Sequence, residues 1–163
     1  MKVGLFIATL ATAIATSLAI PAFAHGDERN KGAAESQQND HTAMLGEPAK
    51  VSRTVNVQMS DAMRFRPAKI TVKRGETIRF ALSNSGKVKH EMVLGTIKEL
   101  KEHAAMMQKF PEMEHADANM ASVEPGKTGE LVWQFTKTGT FDFACLQPGH
   151  FEAGMVGKVV VRR

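Results

Sequence analysis

Beyond Val51 hydrophobic and polar residues alternate with a period of two. Val51, Val55 and Val57 begin the pattern, and Ile70 and Val72 then alternate with Lys69, Thr71 and Lys73. Ile78, Phe80 and Leu82 share one side of the next segment, with Arg79 on the other. Successive side chains of a strand point to opposite faces, so these segments are predicted to be strands with one buried face. Leu131–Phe135, Phe141–Cys145 and Val156–Val161 extend the series. Turn signals at Arg74-Gly75-Glu76, Ser83–Lys87 and Thr136–Gly139 separate the segments. Several short strands punctuated in this way predict an all-β fold, an antiparallel Greek-key β-sandwich over residues 51–163.

One stretch changes period. Ile97, Leu100, Ala104 and Met107 recur at helical spacing and Pro111 closes the run, which predicts a helix over 97–110 and a polar loop over 112–120. Residues 97–121 therefore read as a helix and loop inserted into the sandwich.

The start of the chain has a different character. Met1-Lys2, an apolar run from Val3 to Ile20 and the small-residue pattern Ala22-Phe23-Ala24 form a secretory signal peptide over 1–24, cleaved after Ala24. The alternative is an uncleaved membrane anchor, since the run is near the lower limit for a span. Thr9, Thr12, Thr16 and Ser17 dilute its apolarity and favour cleavage, which leaves no membrane span. Residues 25–50 are polar and Gly-rich without hydrophobic period and are expected to form a flexible arm. What remains fits one domain. A bacterial-type export signal places that domain in the periplasm.

Composition excludes some partners. The net charge of +4 falls to about +3 once Lys2 is removed, and the Lys and Arg residues are scattered. No basic stripe with interleaved aromatics is present, so nucleic acid is not an expected partner. The mild excess serves solubility or steers an acidic protein partner.

Export normally brings paired cysteines, yet this chain has one. That cysteine lies in Cys145-Leu-Gln-Pro-Gly-His150-Phe-Glu-Ala-Gly-Met155, and His90 lies upstream. A lone Cys is often a small buried hydrophobe and a lone Met a core filler. Here the only Cys is followed at fixed short intervals by a His and a Met on a Gly- and Pro-containing loop. A thiolate and two imidazoles form a trigonal plane that suits copper in both oxidation states, and a thioether serves as a weak axial ligand. His90, Cys145, His150 and Met155 are thus the expected ligands of one type 1 copper. Zinc would accept the first three but not Met155. Haem attachment would need a Cys-x-x-Cys-His sequence, which is absent.

On these residues the chain resembles the cupredoxins, or blue copper proteins, which include plastocyanin, azurin, pseudoazurin, auracyanin and rusticyanin. The resemblance covers residues 51–163 and rests on His90 within Val88-Lys-His-Glu-Met-Val-Leu94, and on Phe141-Asp-Phe-Ala-Cys145 leading into the ligand loop. Four residues separate Cys145 from His150 and four separate His150 from Met155, similar to the longer loops of rusticyanin and auracyanin. The family implies that the edge of His150 faces solvent and carries electrons, with Pro148, Phe151 and Met155 around it as a docking patch. Many electron-transfer cupredoxins have Asn directly after the upstream His, bracing the ligand loop; here that position is Glu91. His90-Glu91-Met92 instead resembles small periplasmic cupredoxins associated with bacterial copper tolerance.

Further His and Met residues bear on this choice. The insertion holds His103, Met106, Met107, Met113, His115 and Met120, and the arm holds His25, His41 and Met44. Either the helix packs on the sandwich with Leu100 and Met107 buried, or the thioethers form an additional weak, labile copper patch. A new terminal amine beside His25 would chelate Cu(II), although an isolated tail His usually binds nothing. Two functions follow: a periplasmic copper-binding protein for copper handling and tolerance, or a dedicated electron carrier between respiratory partners. Copper ions and a redox or copper-handling protein are the expected partners. Oxidase or nitrite reductase chemistry would need a further copper centre, typically built on His-x-His pairs, and none occurs. Weak oxidation of Cu(I) is the one activity left open.

Overall fold

A computed structural model describes residues 43–111 and 117–163 of the chain. The segment expected to be a signal peptide, 1–24, the part of the expected arm up to residue 42 with His25 and His41, and Met113 and His115 lie outside the described residues. In chain order the elements are β1 (Ala43–Leu45), β2 (Arg53–Ser60), β3 (Arg64–Arg66), β4 (Lys69–Lys73), β5 (Thr77–Asn84), β6 (His90–Gly95), α1 (Ile97–Lys109), β7 (Met120–Val123), β8 (Thr128–Phe135), β9 (Gly139–Ala144) and β10 (Val156–Arg162).

Two five-stranded sheets face each other, ordered β1-β8-β5-β2-β3 and β4-β10-β9-β6-β7. Alternation does what a half-buried strand requires. Val57, Met59, Ile78, Phe80, Leu82, Leu131, Trp133 and Phe135 of the first sheet pack against Ile70, Val72, Phe141, Phe143, Val159 and Val161 of the second. Edge-to-face ring pairs cross between the sheets, Phe65 with Phe143 at 5.0 Å and Phe135 with Phe141 at 5.5 Å.

The sandwich is not wholly antiparallel as expected. β2 runs parallel to β5, with Val55 beside Phe80, and β4 runs parallel to β10, with Ile70 beside Val159. Period-two alternation fixes which face is buried but carries no information on strand direction. The first sheet also reaches back beyond Val51, into residues read as arm. β1 pairs with β8, and Gly46 lies so close to that strand that a Cβ would stand 2.9 Å from Val132 Cγ1.

α1 sits between β6 and β7 in sequence and covers the outer face of the second sheet. Its Leu100, Ala104 and Met107 pack on Val93, Ala144 and Leu146, the residues that alternate outward from the main core. Thr96 and Glu99 close a reciprocal capping box at its start. Pro111 follows the last turn, where a helix must stop.

Candidate metal centre

Three ligand-bearing positions converge at one end of the sandwich. His90 is the first residue of β6, Cys145 lies one residue beyond β9, and His150 lies within the loop that joins β9 to β10. Cys145 Sγ is 3.2 Å from His150 Nδ1 and 4.0 Å from His90 Nδ1, and the two Nδ1 atoms are 3.2 Å apart. Among the described residues, these three form the group of His, Cys, Asp and Glu side chains placed to hold a metal. Metal–nitrogen bonds of about 2.0 Å and metal–sulfur bonds of about 2.3 Å place one ion among donors so spaced. Met155 is fully buried in the main core with Cys145. One thiolate, two imidazoles and a thioether make the donor set of a type 1 copper site.

The loop is folded by its own backbone. The Cys145 amide donates to Met155 O, and the Met155 amide donates to His150 O, both at 3.0 Å, so all three ligands of the loop are tied together. Gly149 and Gly154 take φ of +84° and +86°, the left-handed region where a side chain is strained. Arg64, at the start of β3, donates to Ala153 O at 2.9 Å and anchors the loop to the opposite sheet.

Upstream, the approach to His90 is equally fixed. Buried Asn84 donates to Val88 O and Val123 O at 2.8 and 2.9 Å and accepts the Gly86 amide at 2.8 Å. His90 is fully buried, and its Nε2 lies 3.2 Å from Asp61 Oδ1. An ionised carboxylate only accepts, so Nε2 carries the proton and the Nδ1 lone pair faces Cys145 and His150. The Lys87 amide chiefly, helped by His90, holds the Asp61 carboxyl below its ordinary range.

Glu91 takes over the bracing that Asn performs in many cupredoxins. The residue is 2% exposed, and among the described residues its carboxyl group forms no ion pair with Lys or Arg. Instead it accepts from the Leu146 amide at 3.1 Å, Gln147 Nε2 at 2.9 Å and Ser122 Oγ at 3.2 Å. A buried carboxylate persists when hydrogen bonds replace its hydration. The backbone amide of Glu91 also donates to Cys145 Sγ at 3.4 Å. Burial, with the Glu91 charge adding to it, pushes the thiol of Cys145 up to about 12, against the pull of the Glu91 and Gln147 amides. His150 is shifted down, mainly by burial and then by His90.

The remaining expectations divide. His150 and Phe151 are half-buried and Pro148 is exposed, but Met155 has no surface and does not belong to a docking patch. Met106 is 47% exposed whereas Met107 is buried, so adjacent thioethers of the insertion point apart. Met107 and, in part, Met120 pack around α1 as core side chains. Sequence reasoning missed Asp61, Arg64 and Gly86, because they lie on a turn, a three-residue strand and a loop with no ligand spacing to mark them.

Comparison with known proteins follows the same line. The family described as copper binding proteins, plastocyanin/azurin family, matches residues 51–162. A protein of Rubrivivax gelatinosus named copper-resistant cuproprotein CopI is 62% identical over 117 residues, 72% of this chain and 71% of its own length. Proteins of the same name from Pseudomonas aeruginosa and Vibrio cholerae are 36% and 33% identical, over 80% and 93% of this chain and 90% and 96% of theirs. Among solved structures, auracyanin B superposes with a TM-score of 0.61 at 20% identity, covering 73% of this chain and 94% of its own. The dithionite-reduced auracyanin of Roseiflexus castenholzii gives 0.59 at 19% identity, covering 69% and 99%. With the ligand set, the two-sheet fold and this match over most of its length, the chain belongs to the plastocyanin/azurin family of copper-binding proteins.

Proposed function

We propose that this protein is an exported, periplasmic copper-resistance cupredoxin, which takes up one copper at His90, Cys145, His150 and Met155 and protects the cell from excess metal. The observation that carries the reading is the joint one of a complete type 1 ligand set and relatives named copper-resistant cuproproteins at 62%, 36% and 33% identity. Glu91 supports it, because the bracing carboxylate departs from the Asn of many electron carriers. The leader-like residues 1–24 support export, and copper ligation accounts for an exported chain with a single, unpaired cysteine. Electron transfer between respiratory partners is the second reading, favoured by the half-buried edge of His150.

Two measurements test the proposal. Titration with Cu(II) should give an intense visible band that saturates at one copper per chain and vanishes in Cys145→Ala. Cells lacking the gene should then grow poorly on copper and regain growth with the wild-type gene but not with Cys145→Ala. Normal growth of the deletion strain on copper, coupled to slowed respiration, would sink the resistance role in favour of the electron carrier.

A further inference from the structure

Asp61 stands behind the copper centre at a place that the ligand motif does not mark. It opens the β2–β3 turn, and its carboxylate meets three donors. Oδ1 faces His90 Nε2 at 3.2 Å, Oδ2 accepts the Lys87 amide at 2.7 Å, and the Val88 amide reaches Oδ1 at 3.5 Å. The Asp61 side chain keeps 39% of its exposure while His90 has none, so one residue joins a fully buried ligand to solvent.

The contact is a built one. A Cβ on Gly86 would collide with Asp61 Oδ1 and stand 2.7 Å from its Cγ and 3.1 Å from its backbone nitrogen. Glycine is therefore required at position 86 for space, so that the carboxylate can come between the loop and the imidazole. The turn itself includes Met63 at φ +56°, a left-handed conformation uncommon for a long side chain. Arg64 beside it donates to Ala153 O, so the same turn touches both ligand-bearing segments.

We propose that Asp61 is a positioning residue of the copper centre: it holds His90 as the Nε2–H tautomer, aims Nδ1 at the metal and biases the site toward Cu(II). A carboxylate on the far nitrogen of a ligating imidazole fixes the ring and raises its basicity. The greater basicity and the added negative charge both favour the more highly charged ion. The inference rests on the copper centre and is independent of the resistance role.

The test compares wild type with Asp61→Asn, Asp61→Ala and Gly86→Ala. Midpoint potential is read from redox titration of the visible band, Cu(II) affinity from chelator competition, and the His90 tautomer from ring nitrogen resonances of the apoprotein. Asp61→Ala should lose about 10–100-fold in Cu(II) affinity and mix the two tautomers. Asp61→Asn retains an acceptor and should keep the tautomer. Its preference for Cu(II) over Cu(I) should still fall about tenfold, a rise in potential of about 59 mV for one electron. Gly86→Ala should resemble Asp61→Ala although the carboxylate is still present. Potential, affinity and tautomer all unchanged in both Asp61 variants would overturn the proposal, as would lower thermal stability with an unmoved potential. A wild-type protein without the thiolate band would overturn the copper centre itself, which separates that failure from this one.

Discussion

Glu91 is buried with three donors on its carboxyl group, and it is placed where the loss of any one of them would reach the metal. Leu146 and Gln147 directly follow Cys145, so the bonds they give to Glu91 fix the first two residues after the thiol ligand. The exchange of Asn for Glu was visible in the sequence as a departure; its consequence was not, because three donors spread from Ser122 to Gln147 meet only in the fold. Glu91→Gln replaces one accepting oxygen by an amide that donates, and sets it against the Leu146 amide or the Gln147 side chain. Unfolding of the apoprotein in urea should show a loss of about 1–3 kcal/mol, and the visible band of the copper form should shift while copper stays bound. A variant with wild-type stability and an identical spectrum would mean that the loop is held without Glu91.

The strands differ in how plainly their sequences announce them. β4 and β5 each have one face in the core and read as alternation. β6 does not, because His90 to Leu94 are all buried, the inward residues by the sandwich and Val93 by α1. A strand covered on both faces loses its period, which is why this segment was legible only through its ligand. β3 and β1, of three residues each, are too short to carry a pattern. The helix, by contrast, was legible in period, in its stop at Pro111 and in its buried Leu100 and Met107. Its start is set by the Thr96–Glu99 box, which lies at the opposite end from Met107. Thr96→Ala removes one cap acceptor and should cost about 1 kcal/mol in thermal or urea unfolding. The copper band should be unaffected, because the packing on Leu146 and Phe151 is retained. A changed band would show that the cap, and not only the packed face, is coupled to the ligand loop.

At the scale of the whole molecule, the fold prepares a site that binds a proton until copper replaces it. Burial of Cys145 favours the neutral thiol, with its titration raised to about 12 from the ordinary thiol range near 8.5. The sign for the apoprotein follows: the folded form holds this proton more tightly than the unfolded chain. The stability that the thiol contributes is complete below about pH 8.5 and is lost as pH rises from there toward 12. Copper acts in the opposite direction, since it binds the thiolate and must expel that proton. His150 is held neutral to lower pH than an ordinary imidazole, so above about pH 6.5 it adds little competition. Cu(II) affinity should therefore rise about tenfold per pH unit between pH 6.5 and 8.5, the signature of one proton released per copper. At saturating copper this adds about 1.4 kcal/mol of stabilisation per pH unit, since a ligand bound only by the folded state contributes its binding free energy to folding. Melting temperatures of the apo and copper-loaded forms should accordingly diverge as pH is raised across this window, and a difference that stays constant would mean that Cys145 is already ionised before copper arrives.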